Sequence, residues 1–205
     1  MGSIHFPWPG RSRRGRPRGR RLRVVALAVG VTAALAGAAV GTQSAAYGAT
    51  GTPYGGTAAA VPGTVYAANY DTGGQGVAYN VTSTNGSANS YRSDGVDLES
   101  TTDTGGGYDL GWTATGQWFN YTVNVATAGT HTVSFRVAAP SAVTDAFHLS
   151  NASGANLSGS VNIAATGGWQ TWVTVTANVT LPAGVQTLTL NQDNGGWNIN
   201  YMTIS

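Results

Sequence analysis

The chain is predicted to fold as an all-β sandwich or barrel, and three observations carry that expectation. Beyond residue 48 no segment shows helical periodicity. Short runs rich in Val, Thr, Tyr and Phe alternate with clusters of Gly, Asn and Ser at spacings of about ten residues. One run, Gln117 to Val125, alternates cleanly: Phe119, Tyr121, Val123 and Val125 take one parity, and Trp118, Asn120, Thr122 and Asn124 the other. Side chains of a strand point to opposite faces in turn, so this run offers an apolar face to a core and a polar face outward.

Other runs repeat the pattern. Thr130 to Ala138 sets Val133, Phe135 and Val137 on one parity, and Gln170 to Val179 does the same with Val173, Val175, Ala177 and Val179. Val185 to Leu190 and Trp197 to Ile204 complete the series, with Trp197, Ile199 and Tyr201 sharing a parity that suits packing. No internal repeat of fixed period divides the chain.

The N-terminal region has a different character. All ten basic residues are arginines, and eight of them lie between Arg11 and Arg23. An uncharged apolar run follows from Val24 to Val40, then small residues up to Ala45, Ala46 and Gly48. Basic start, apolar middle and small-residue end are the parts of an export signal, which assigns residues 1–48 to a signal peptide cut after Ala46 or Gly48. Arg13-Arg14 and Arg20-Arg21 leave twin-arginine export open beside general secretion. An uncut membrane anchor is the alternative. Residues 49–62, small and glycine-rich, read as a flexible lead-in, and 63–205 as the folded body. The mature protein is then expected outside the cell, monomeric, without stable membrane association.

Charge and cysteine content narrow the partners. Past the arginine arm, Arg92 and Arg136 face eight carboxylates, a net charge of about −6. An acidic, lysine-free body cannot neutralise phosphates, which excludes nucleic acid. With no cysteine there is no disulfide, so the core must suffice; about 140 residues can supply one.

Enzymatic constellations are thin. Asp97 and Glu99 share a parity and could lie side by side, and a glycosidase needs two carboxylates at a defined separation. His131 and His148 lack metal or nucleophile spacing. More informative are rings placed just beyond glycines: Tyr108 after Gly105-Gly106-Gly107, Trp169 after Gly167-Gly168, and Trp197 after Gly195-Gly196. Glycine pairs mark turns, and a ring beyond a turn can sit half exposed on a rim. Flat rings suit the C–H face of a sugar, while Asn, Gln and Asp satisfy its hydroxyls. Trp112, Trp118, Phe119, Tyr121 and Trp172 read first as packing.

Seven pieces in order, VYAANYD, GQGVAYN, YRSDGVDLE, YDLGWTATGQWFNYTVNV, ATGGWQTW, LPAGVQTLTL and GGWNINYM, resemble carbohydrate-binding module family 6. The resemblance implies a galactose-binding-like jelly roll of two antiparallel sheets and non-catalytic binding of a neutral polysaccharide such as xylan or a β-glucan. It implies that Tyr91 and Trp169 clasp one sugar ring, that Asn198 orients it, and that Gln75 helps set specificity. A structural calcium is common in that family, held by glutamates of an IEAE-like first strand. Here Tyr66 and Ala68 stand in the glutamate positions, and Asn200 replaces a carboxylate of the last strand. Calcium prefers several charged oxygens, so no cofactor or metal is expected. The alternatives are a small glycoside-active enzyme using Asp97 and Glu99, or an anchored surface adhesion protein.

Overall fold

Alternation between buried and outward side chains builds two sheets in the computed structural model of the chain, which describes residues 51–82, 84 and 89–205. The proposed signal peptide lies outside these residues. The strands are β1 Ala59–Val61, β2 Gly63–Tyr66, β3 Tyr79–Asn80, β4 Leu98–Ser100, β5 Tyr108–Leu110, β6 Gln117–Val125, β7 Gly129–Ala138, β8 Val143–Asn151, β9 Val161–Ile163, β10 Val173–Leu181, β11 Gly184–Gln192 and β12 Asn198–Ile204. One sheet runs β1-β6-β11-β8-β9 with β3 also on β6; the other runs β10-β7-β12-β5-β4 with β2 also on β12. Every ladder is antiparallel except the short β1–β6 pair, which is parallel.

The inward faces carry the predicted residues. Phe119, Tyr121, Val123 and Val125 of β6 are buried, as are Val133, Phe135 and Val137 of β7. Phe147 packs edge-on against Phe135 and tilted against Trp197, each at 4.8 Å between ring centroids. Trp197 is fully buried, and its indole N–H donates to the Asn194 carbonyl at 2.6 Å.

Two expectations need correction. Residues 51–62 are part of the sandwich, so its folded part begins before residue 63. Thr52 and Thr72 exchange backbone hydrogen bonds, β1 pairs along β6, and Val61 is buried in the core. Small residues there serve close pairing to an edge, not flexibility. The second concerns the last strand, where register shifts between Ile199 and Tyr201. This β-bulge inserts Asn200 as an extra residue and turns the parity over. Ile199, Met202 and Ile204 are therefore buried, while Tyr201 leaves the face predicted for it.

One buried cation holds the irregular segments. Arg92 donates to the carbonyls of Ala68, Tyr70 and Asp71 and pairs with Asp94 at 3.0 Å. Its guanidinium lies 3.6 Å from the centre of the Tyr70 ring, whose hydroxyl reaches Asp94. Gly95 follows with φ +80, and a Cβ there would meet the Thr84 carbonyl at 2.6 Å, so only glycine closes this turn. Removing Arg92 strands three carbonyls and a carboxylate. Arg92→Ala is expected to lose about 3 kcal/mol of unfolding free energy in urea titration; a loss below about 1 kcal/mol would show that the turn stands without it.

Candidate functional site

A pocket of about 350 Å³ opens where three loops meet the start of β12, lined by Glu99, Trp112, Thr113, Trp169, Gly196 and Asn198. Glu99 comes from β4, Trp112 and Thr113 from the loop leaving β5, Trp169 from the loop between β9 and β10, and Asn198 from the first position of β12. The two indoles are 48% and 51% exposed, large apolar surfaces left open on the rim of a well-packed domain.

The loops are fixed by side chains. Thr113 Oγ1 accepts from the amides of Gly196 and Trp197 and donates to the Trp197 carbonyl at 2.6 Å. Gly195 makes this approach possible, because a Cβ there would sit 2.2 Å from the Thr113 carbonyl. Trp112 has φ 46, a left-handed conformation that costs a bulky residue energy and is found where a site over-determines the backbone. The Asn198 amide group is fully committed: Nδ2 donates to Glu99 Oε1 at 2.9 Å and to the Trp169 carbonyl at 3.0 Å. Its Oδ1 is left for a ligand.

Behind the pocket lies a pair of carboxylates. Glu99 and Asp109 are partners across β4 and β5. Gln170 Nε2 bridges them, donating to Glu99 Oε1 at 3.0 Å and Asp109 Oδ2 at 2.8 Å. Asp109 is fully buried, and its Oδ1 has no hydrogen-bond partner. Burial first, with the Glu99 charge adding to it and the Gln170 amide opposing, pushes the Asp109 carboxyl up to about 7.

Of the residues expected to bind, the structure brings together Trp169 and Asn198. Tyr91 is elsewhere. Its ring stacks on Tyr108 at 4.9 Å, and its hydroxyl donates to Asn69 and accepts from Tyr54. The cause is its neighbour: Arg92, anchored on residues 68 to 71, carries Tyr91 to that side. Gln75 is also outside the pocket, since its amide is spent on Asn80 and on both backbone groups of Val81. Trp112 takes the place expected of Tyr91, against the reading of it as packing. The sequence signal was weaker, because Trp112 follows the single Gly111 whereas Trp169 follows the pair Gly167-Gly168.

The suggested catalytic pair is not assembled in the pocket either. Asp97 is buried and does not line it, and the carboxylate beside Glu99 is the buried Asp109. Nor do the calcium positions fit that ion. Tyr66 and Ala68 bring no carboxylate, and Asn200 donates to Asp103, which Arg136 already grips through Nε and Nη2. Burial pulls Asp103 upward, but the hydrogen bonds from Arg136 and Asn200 outweigh it and hold the carboxyl low. Asn200 Oδ1 is buried without a partner, a single uncharged oxygen beside a guanidinium-neutralised carboxylate. Among the described residues no group of three or more His, Asp or Glu gathers as a metal site.

The raised carboxyl gives a signed expectation. In the unfolded chain Asp109 loses its proton near pH 4, whereas the folded chain keeps it to about 7. Stability therefore falls as pH rises across that window, and the penalty is complete above it. Asp109→Asn should melt about 5 °C above wild type at pH 8 and level with it at pH 4; equal melting at both values would contradict the assignment.

Comparison with known proteins agrees with this architecture. The family model of the carbohydrate binding module (family 6) matches residues 86–205. The chain is 32% identical over 116 residues to the clotting factor G alpha subunit of Tachypleus tridentatus, covering 56% of this chain but 17% of that subunit. Among solved structures, the module of Cellvibrio mixtus lichenase 5A in complex with cellotriose is 31% identical, with TM-score 0.55 over 71% of this chain and 97% of that one. The C-terminal module of a marine laminarinase from Zobellia galactanivorans is 26% identical, with TM-score 0.53 over 69% and 97%. A β-1,3-glucan binding module from Bacillus halodurans, 24% identical with TM-score 0.54 over 72% and 98%, shares the fold. With more than half of its length matched, the chain belongs to carbohydrate-binding module family 6.

Proposed function

We propose that the chain binds a neutral β-linked glucan, without catalysis, through the pocket between Trp112 and Trp169. The observation that carries this is two half-exposed indoles on one pocket whose polar wall is uncharged but for Glu99. Indole faces cover the apolar C–H surface of a pyranose. Asn198 Oδ1 accepts from one hydroxyl, and the second oxygen of Glu99, free of the Gln170 and Asn198 amides, accepts from another. The cellotriose bound to the Cellvibrio mixtus module supports a glucose-based ligand. A rim site of two rings and a few hydrogen bonds holds a short oligosaccharide at roughly 10–100 μM. Hydrolysis would require a second carboxylate facing the bond, and the pocket wall supplies one only.

The arginine-rich start and the apolar run after it support export, with the module acting as a monomer outside the cell. Binding needs no metal in this reading, since the pocket is made of side chains that hold one another.

Trp112→Ala and Trp169→Ala should each weaken cellotriose binding at least tenfold, about 1.4 kcal/mol, in calorimetric titration while circular dichroism stays native. Undiminished binding by both would remove the pocket from consideration. EDTA should leave the melting temperature unchanged; a fall of about ten degrees or more would restore a structural calcium.

A further inference from the structure

Trp169 owes its place to its neighbours in the chain. Its indole is half exposed, so the backbone on either side must hold it. Thr166 fixes the loop before it, donating its amide to the Ala139 carbonyl and accepting the Ala139 amide on its hydroxyl, each at 2.8 Å. Gln170 fixes the loop after it. Its Nε2 spends both hydrogens on carboxylates, Glu99 Oε1 at 3.0 Å and Asp109 Oδ2 at 2.8 Å. Its Oε1 accepts from the Thr102 amide at 2.9 Å and from the Trp172 indole at 3.2 Å. One side chain therefore pins the loop that carries Trp169 to β4, to β5 and to the hairpin between them.

That bracket depends on a proton. Glu99 and Asp109 face each other across β4 and β5, and Gln170 spans them. Asp103 of the same hairpin adds a second negative charge near Asp109, and Arg136 of β7 is spent on Asp103. β12 brings the uncharged Asn198 and Asn200 to these carboxylates, and Ala67–Asn69, also packed on β5, brings no titratable group. Among the described residues no ion pair reaches Asp109. With its proton, Asp109 is neutral and tolerates its unpartnered Oδ1. Without it, two negative groups share one amide, and a charged oxygen is buried with no donor. Asp109 is wholly buried and cannot turn to water, whereas Glu99 lines the open pocket and can. A Glu99 that leaves for solvent takes an acceptor from Gln170 and from Asn198, the two side chains that hold Trp169.

We propose that Gln170 is a positioning residue for the Trp169 wall of the pocket, and that it holds that wall only while Asp109 keeps its proton. The inference deepens the reading of this pocket as the glycan site, and rests on that reading for its consequence but not for its geometry. Glycan affinity then falls as pH rises through the Asp109 transition at about 7. The linkage runs both ways. A sugar lying on Glu99 displaces water that screens the two carboxylates, so binding takes up a proton.

The test is NMR of the Trp169 indole in the full-length chain from about pH 5.5 to 8.5 without sugar, then calorimetric titration with cellotriose and laminaritriose at both ends of that range. In wild type the indole should shift with a midpoint at about 7. The sugar that binds should do so about tenfold more weakly at the upper end. In Asp109→Asn that indole transition should be missing and the affinity the same at both ends. In Gln170→Ala binding should already be weaker at the lower end, and the pH step should shrink to about twofold. A Gln170 that only supported the fold would lower affinity by one factor at every pH and leave the step intact, and that result would overturn the proposal. An indole that does not titrate in wild type, or titrates unchanged in Asp109→Asn, would overturn it as well. An indole that titrates as expected in a chain that binds neither sugar at any pH would uphold the positioning role and remove the glycan reading alone.

Discussion

The tryptophan-lined pocket depends on one side-chain amide. Asn198 has two amide hydrogens, and both are committed, one to Glu99 on a neighbouring part of the sheet and one to the carbonyl of Trp169. A rigid strand, a hairpin and a long loop are thereby tied at a single atom. The same bonds dictate which atom of Asn198 is offered to a ligand, since an amide that has given both hydrogens can only accept. The same two hydrogen bonds that tie the loops therefore leave only an acceptor facing the pocket.

β12 is irregular immediately after Asn198. In an unbroken strand positions 198 and 200 would face outward together while 199 and 201 faced the core. The bulge at Asn200 breaks that alternation and buries three successive side chains. Asn200 itself meets Asp103, whose carboxylate is held by Arg136, so that a fixed guanidinium stands beside the last strand. The buried Asp109 shows the cost of such polar crowding. It shares one Gln170 nitrogen with Glu99 and leaves an oxygen unsatisfied, a concession usual near binding sites and rare in cores.

The sandwich was legible because β6 alternates throughout and β7 from His131 to Val137, and because glycine clusters separate the strands. That Asn198 and Trp169 share one pocket agrees with their reading from the resemblance and, for Trp169, from its glycine pair. Three things were not legible. The β1 pairing involves residues too small to announce a strand. The bulge at Asn200 leaves no mark in an alternating run, so Tyr201 was assigned to the wrong face. Tyr91 was misplaced because its direction is decided by Arg92, whose carbonyl partners lie about twenty residues away in sequence. Local spacing carries no information about such a contact. Trp112 follows only one glycine, Gly111, where Trp169 follows the pair Gly167-Gly168, so its local spacing marks a turn less clearly.

The sheet termini carry a consequence of their own. Among the described residues, β9 and β4 close two of the four borders with three residues each and β1 with β3 shares a third along β6, but the fourth border is β10, nine residues long. Its sequence, Val173 to Leu181, holds no charge and no proline, and a chain without lysine lacks the usual means of blunting such a border. Threonine hydroxyls and the Pro182 that follows are its protection. By its length and lack of charge it is, among the described residues, the border most open to pairing with another strand. What keeps that border from pairing with a neighbour is strand chemistry, and the sugar pocket has no part in it.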